Sequence, residues 1–322
     1  MWFLIAPDSF KGTFDAFEVA EAIAAGIEEG GAEADRCPIA DGGEGTMEVL
    51  LGALGGERRV VQVHDPLRRP IRAEFALLGD GDTAVVETAQ ASGLTLVAAE
   101  ERDPERADTY GTGELIAAAL AAGARSVLVA VGGSATTDGG RGAIEALSEH
   151  GALEAAARIE VLCDVETPFE DAARLFAPQK GADGAAVARL SARLEAMAAQ
   201  LPRDPRGVAM SGCAGGLSGG LWAHGARLRS GAAFVLDAVS FDARLAAADA
   251  VISGEGRFDS QSLAGKITGE IASRCAAAGK PLHLIVGEDA LDGEAPAALA
   301  SVSRAGSPQQ MAEKALGIAG RR

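Results

Sequence analysis

Three short apolar runs, each ending in a glycine-rich loop that carries acids, most constrain what this chain can fold into. Trp2 to Ala6 ends in Pro7-Asp8-Ser9-Phe10-Lys11-Gly12-Thr13. Ser126 to Val131 empties into Gly132-Gly133-Ser134-Ala135-Thr136-Thr137-Asp138-Gly139-Gly140. Ala250 to Ser253 ends in Gly254-Glu255-Gly256-Arg257-Phe258-Asp259. Unbroken apolar runs of this length read as strands buried on both faces. Ala-rich helical stretches follow them, near Ala16–Glu29, Gly142–His150 and Thr268–Ala278. This succession predicts an α/β fold, in which ligands bind outside the carboxyl ends of the strands.

The pattern is interrupted. Arg36 to Ala40 reads as a second short strand, and Thr46 to Leu54 as a helix closed by Gly55-Gly56. Arg59–His64, Ile71–Leu78 and Ala84–Thr88 then read as strands with no helix between them, which predicts an antiparallel or mixed sheet. Strand–loop–helix texture resumes later and returns to the N-terminal kind near Arg244. A chain of 322 residues suits two domains. The predicted division is residues 1–65 plus 243–322 for one and 66–242 for a second, inserted one.

The formal net charge of −17 repels polyanions, so nucleic acid is excluded as a partner. The same field means that a small anionic substrate must be met by individual Lys and Arg residues inside the glycine loops. The four cysteines show no CxxC pairing and the four histidines no metal-ligand spacing, which predicts reduced thiols and no zinc site. The apolar start is too short for a signal sequence, and no segment reaches the ~20 apolar residues a spanning helix needs. The expectation is a cytoplasmic protein; a homodimer is compatible with it.

The loops hold the chemistry. Ser9, Lys11 and Asp8 offer a hydroxyl, a cation and a carboxylate where the first strand ends. Asp41-Gly42-Gly43-Glu44-Gly45 offers two carboxylates around glycines, which suits magnesium. The 132–140 loop offers backbone N–H groups at a helix start, hydroxyls of Ser134, Thr136 and Thr137, and Asp138. It lacks the Gly-Lys-Ser/Thr of a Walker loop. Lys180 follows Pro178-Gln179, and a lone lysine of this kind usually lies on the surface. Glu255, Arg257, Asp259 and Lys266 repeat the acid-and-cation theme. Metal-binding acids, cations and amides are the inventory of phosphoryl transfer.

Taken together, the stretches APDSFKGT, PIADGGEGT, ETAQASGL, TYGTGELI, GGSATTDGG, APQKGA, CAGGL and ADAVISGEGRFDSQSLAGK resemble the glycerate kinase family, in its order and over nearly the whole chain. The resemblance implies a flavodoxin-like domain built from both chain ends, an inserted mixed α/β domain, and an active site in the cleft between them. It implies ATP as donor, Mg²⁺ as cofactor and D-glycerate as acceptor, with the 2-phosphate as product. On that reading Asp41 or Asp138 orients or deprotonates the acceptor hydroxyl, with Lys11 beside them. Asp8, Ser9, Thr109, Gly111, Thr112 and Lys180 would meet the substrate. Gly132, Gly133, Ser134, Thr136, Gly254, Glu255, Arg257 and Lys266 would meet the nucleotide, and Glu44 and Asp259 the metal. The sequence departs from the family's pattern where Thr137 replaces an Asn and Thr167-Pro168-Phe169 an Asn-Pro-Leu. A kinase for another small hydroxy acid and a non-catalytic glycerate or nucleotide sensor are the alternatives.

Overall fold

The structure, a computed structural model, describes residues 1–10, 12–154, 158–260, 262, 266–291 and 299–320. Its strands are β1 (Trp2–Pro7), β2 (Glu33–Arg36), β3 (Gly56–His64), β4 (Pro70–Leu78), β5 (Thr83–Glu87), β6 (Ser126–Ala130), β7 (Arg158–Cys163), β8 (Arg227–Ser230), β9 (Ala250–Phe258), β10 (Leu282–Asp289) and β11 (Leu299–Arg304). The chain divides into two compact units, residues 1–41 with 232–322, and residues 42–231.

The first unit is built from both chain ends. Its sheet runs β11-β10-β9-β1-β2 and is parallel throughout. Counted within the unit, that is the 2-1-3-4-5 order of flavodoxin-like sheets, with the topological switch between β1 and β9. The expected flavodoxin-like domain is therefore present. The helix Ala16–Glu29 shows how the sequence builds it. Asp15 and Glu18 form a reciprocal capping box at its start, worth about 1 kcal/mol. Val19, Ile23 and Ile27 recur at helical spacing and pack with Phe3, Ile5 and Ile252. Each such side chain contributes ~1.5–3 kcal/mol on burial. Gly26 brings this helix against the last one, Pro308–Ala319: a Cβ there would lie 2.0 Å from the carbonyl oxygen of Ala312.

The inserted unit carries a mixed sheet with its strands in sequence order, β3 to β8. The pairs β3–β4 and β4–β5 are antiparallel, and β5 through β8 are parallel. Val86, Val127, Val129 and Val161 pack with Phe75, Leu115 and Leu217. The division falls at Asp41/Gly42 and Gly231/Ala232 and not at the expected 65/66 and 242/243. The cause is β3, which pairs with β4 along nine residues from Gly56↔Leu78 to His64↔Pro70 and so belongs to the second sheet. The cysteines are buried and unbridged, and among the described residues no helix is long and apolar enough to cross a membrane.

Candidate active site

In the first unit, β1 stops at Pro7 opposite Gly254, while β9 continues to Phe258 alongside β10. The overhang, at the switch point, opens a cavity of about 470 Å³. Asp8, Ser9, Asp41, Glu255, Arg257 and Asp259 are among its lining residues, so residues of three of the expected loops share one hollow. Asp8 and Asp41 are buried. The carboxylate of Glu255 accepts hydrogen bonds from the hydroxyls of Ser262 and Thr268, each at 2.7 Å. Burial raises its pKa, and those two hydroxyls hold it back down. Arg257 reaches Asp259 at 3.6 Å and Glu288 at 3.5 Å. Lys266 occupies the N-cap position of the helix Ile267–Ala278 without a side-chain capping bond, and its charge lowers the Glu255 pKa. At Gly254 a Cβ would lie 2.4 Å from the Ile285 carbonyl oxygen, so the close pairing of β9 with β10 requires glycine there. Lys11, expected beside Asp8, lies outside the described residues.

The hard oxygen donors of this cavity suit magnesium, which takes one or two carboxylates and completes its shell with phosphate oxygens and water. Among the described residues no three Asp, Glu, His or Cys side chains form a metal-binding cluster. Glu44 does not line this cavity; it sits exposed in the inserted unit, 3.8 Å from where a Cβ on Gly133 would project.

In the inserted unit the loop after β6 carries a buried lysine. Lys180 is 3% exposed and its Nζ donates to Ser134 Oγ at 3.0 Å and to the Thr136 carbonyl at 2.5 Å. Burial drives its pKa down to about 7, against an upward pull from Asp138. The N–H groups of Gly132, Gly133 and Ser134 donate to nothing among the described residues, and the buried Thr136 hydroxyl is likewise unpartnered. Three idle amides with a lysine behind them form an anion cradle at a strand's carboxyl end. A second glycine tract supports it. Ala214, Gly215 and Gly216 take left-handed backbone inside the segment Cys213–Ala223, and Gly139 N–H donates to Gly215 O at 3.0 Å. A Cβ on Gly215 would lie 2.0 Å from the Thr136 carbonyl, so only glycine allows the approach.

Asp138 does something other than wait for a ligand. Its carboxylate accepts from Thr109 N–H (3.0 Å), Thr109 Oγ1 (2.8 Å), Gly140 N–H (3.2 Å) and Gly142 N–H (2.9 Å). Ala143 N–H donates in turn to Thr109 Oγ1. The anion at the start of the helix Arg141–Glu149 is thus the chain's own, and the first-turn amides read from sequence as an anion site are occupied. The neighbouring residues Gly111 and Thr112 are packing residues here. A Cβ on Gly111 would lie 1.8 Å from the His64 carbonyl, and the buried Thr112 hydroxyl pairs with Ser92 Oγ at 2.8 Å.

Glu87, at the end of β5, is the buried acid that residue-by-residue reading missed. It accepts from the N–H groups of Met47 (2.8 Å) and Gly45, capping the helix Thr46–Leu54 from outside. Burial, aided by Glu44 and Glu48, pushes its pKa up to about 7. Folded protein then holds a proton that unfolded chain releases near 4.5, so stability contributed here is full below pH 4.5 and is lost as pH rises through 7. Glu87→Gln is expected to remove a decline on the order of 3 kcal/mol, checked by urea melts at pH 5 and pH 8. Equal slopes in variant and parent would refute the assignment.

The chain matches the glycerate kinase family over residues 3–153 and 148–316. A Bacillus subtilis (strain 168) protein named glycerate kinase is 39% identical, across 92% of this chain and 87% of its own. An Escherichia coli (strain K12) protein named glycerate 2-kinase is 38% identical, across 89% and 85%. A crystal structure of a Salmonella typhimurium LT2 protein, provisionally assigned as glycerate kinase 2, superimposes with a TM-score of 0.83 at 35% identity, covering 99% of this chain and 97% of the other.

Proposed function

This chain belongs to the glycerate kinase family and is a kinase, and from that premise we propose that it transfers the γ-phosphoryl group of Mg-ATP to D-glycerate, yielding ADP, a proton and 2-phosphoglycerate. The observation that carries this reading is the switch-point cavity, where buried Asp8 and Asp41 lie with Asp259, Arg257 and Lys266. Asp8 and Asp259 are the residues that would hold magnesium, which supplies charge neutralisation of phosphate oxygens when bound. Lys266, at a helix start and near enough to Glu255 to lower its pKa, is placed to meet phosphate. Asp41 is the acid that would orient the acceptor hydroxyl. In the inserted unit, Lys180 with the amides of Gly132, Gly133 and Ser134 would bind an anionic group, a phosphate or the glycerate carboxylate. The name of the E. coli relative favours the 2-hydroxyl. The expected setting is the cytoplasm, where ATP is held.

The test is ADP release on adding D-glycerate to enzyme with Mg-ATP, with the product identified by phosphorus NMR. ADP formation that depends on D-glycerate, with a 2-phosphate resonance, is the expected result. Turnover with another short hydroxy acid but not with glycerate would replace the substrate, a possibility raised by Thr137 and Phe169. No turnover with any acceptor would end the proposal.

A further inference from the structure

A second cavity, of about 710 Å³, opens in the inserted unit and is lined by none of Gly132, Ser134, Thr136 or Lys180. Its walls are the loop before the helix Tyr110–Ala121, the first turn of Arg141–Glu149 and the end of the helix Gly184–Ala198. Four arginines and four acids line it, yet the charges are not evenly matched. Every acid is engaged: Glu105 with Arg189 at 2.7 Å, Asp108 and Glu145 with Arg68 at 2.7 and 3.1 Å, and Asp138 with its four donors. Of the arginines, Arg68 is the one those acids neutralise; it also stacks over the Tyr110 ring at 3.9 Å. Arg193 bonds only to the carbonyls of Glu105 and Thr137, each at 2.8 Å. Arg106 and Arg141 have no hydrogen-bond or ion-pair partner among the described residues.

Two guanidinium groups, Arg106 and Arg141, therefore line one hollow without a partner among the described residues, while Arg193 lies near enough to the Glu105 carboxylate to lower its pKa. The lining carries as many carboxylates as guanidinium groups, but every carboxylate is already bonded, which leaves the forks of Arg106 and Arg141 to meet an anion. Guanidinium groups present forked donors that match carboxylate and phosphate oxygens. We infer that this cavity is a second anion site, taking a small organic molecule with at least two negative charges, such as a phosphate monoester or a polycarboxylate. Arg106 and Arg141 are its anchoring cations and Arg193 its floor. Because Arg193 also holds the Thr137 carbonyl, a ligand here bears directly on the 132–140 loop, which makes the site a natural effector position.

The experiment is isothermal titration of the full chain, without nucleotide or magnesium, using glycerol 1-phosphate and tricarballylate as separate probes. Saturable binding in the micromolar to millimolar range is expected for at least one, and the probe that binds identifies the anion class. The double variant Arg106→Gln/Arg141→Gln should bind at least roughly tenfold more weakly, about 1.4 kcal/mol. Arg125→Gln, at a mostly exposed arginine outside the cavity, should bind as the parent does. Lys180→Met and Lys266→Gln should also retain binding. Undiminished affinity in the double variant overturns the inference, as does loss of affinity only in the Lys180 or Lys266 variants, or no saturable binding of either probe. Circular dichroism of the double variant guards against misfolding, which is not expected, since neither side chain bonds within the described fold.

Discussion

Lys180→Met will lower kcat/KM by roughly 10²–10³-fold while leaving the protein folded. Methionine fills a similar volume, so the packing around position 180 is kept and only the ammonium group goes. Exchanging a buried, desolvated cation for an apolar side chain costs little stability and can add some. The activity loss follows from what the ammonium holds: Ser134 Oγ and the Thr136 carbonyl, at the end of the run of idle amides and just after it. Without it the cradle loses its one buried cation and the loop its anchor. Stability gives an independent readout. Burial lowers the Lys180 pKa to about 7, against the ordinary 10.5, so unfolded chain binds a proton that folded protein lacks between those values. Stability due to this group therefore rises with pH across that window. The methionine variant should lack that rise. A variant with near-parental kcat/KM would remove Lys180 from the site, even if the pH effect on stability were present.

Asp138→Ala should be the most destabilising single change in the inserted unit, at about 3–5 kcal/mol, which lowers the thermal midpoint by about 10 °C. The alanine leaves four donors without an acceptor: two on Thr109 and the N–H groups of Gly140 and Gly142. Each orphaned buried donor costs ~1–3 kcal/mol, with partial relief from solvent. Asp138→Asn keeps one acceptor oxygen and should fall between parent and alanine. If Asp138 instead served only as a base, both variants would lose turnover with unchanged melting. A shift below about 2 °C for the alanine variant would therefore reverse the assignment made from geometry.

The sequence made the strand-and-loop frame legible because its signals are local. Asp15, Glu18 and the 3–4 spacing of Val19, Ile23 and Ile27 fix one helix without reference to anything distant. Misplaced boundaries have equally local causes. Arg36 to Ala40 reads as a strand, yet the ladder is assigned to Glu33–Arg36. The N–H groups of Cys37 and Ile39 still donate to the Ile5 and Pro7 carbonyls, so the chain follows β1 past Pro38 and the reading errs mainly in where the strand starts. Glu255 to Phe258 reads as loop because of its glycine and charges, yet it pairs with β10 as far as Asp289. What stayed illegible depends on partners far along the chain. Lys180 reads as a surface lysine because nothing nearby in sequence announces Ser134 and Thr136, which bury it. Asp138 reads as a metal or catalytic acid because Thr109, its closest partner, lies 29 residues upstream. Arg106 and Arg141 draw no notice in sequence, being two arginines among many; only the engagement of every neighbouring acid sets them apart.

The sheet order of the first unit has a consequence for how the chain is made. β1 pairs with β2 on one side and β9 on the other, and β9 begins at Ala250. A ribosome emits β1 first, but its central neighbour emerges some 240 residues later. Until then Phe3, Ile5 and the apolar face of the first helix have no complete core to join. Residues 42–231 are all outside the exit tunnel before that, and they hold a self-sufficient sheet. The insert is thus expected to mature ahead of the segment that precedes it, and nascent chains stalled with Gly231 outside the tunnel and β9 still within it should present a protease-sensitive N-terminus on an already resistant body.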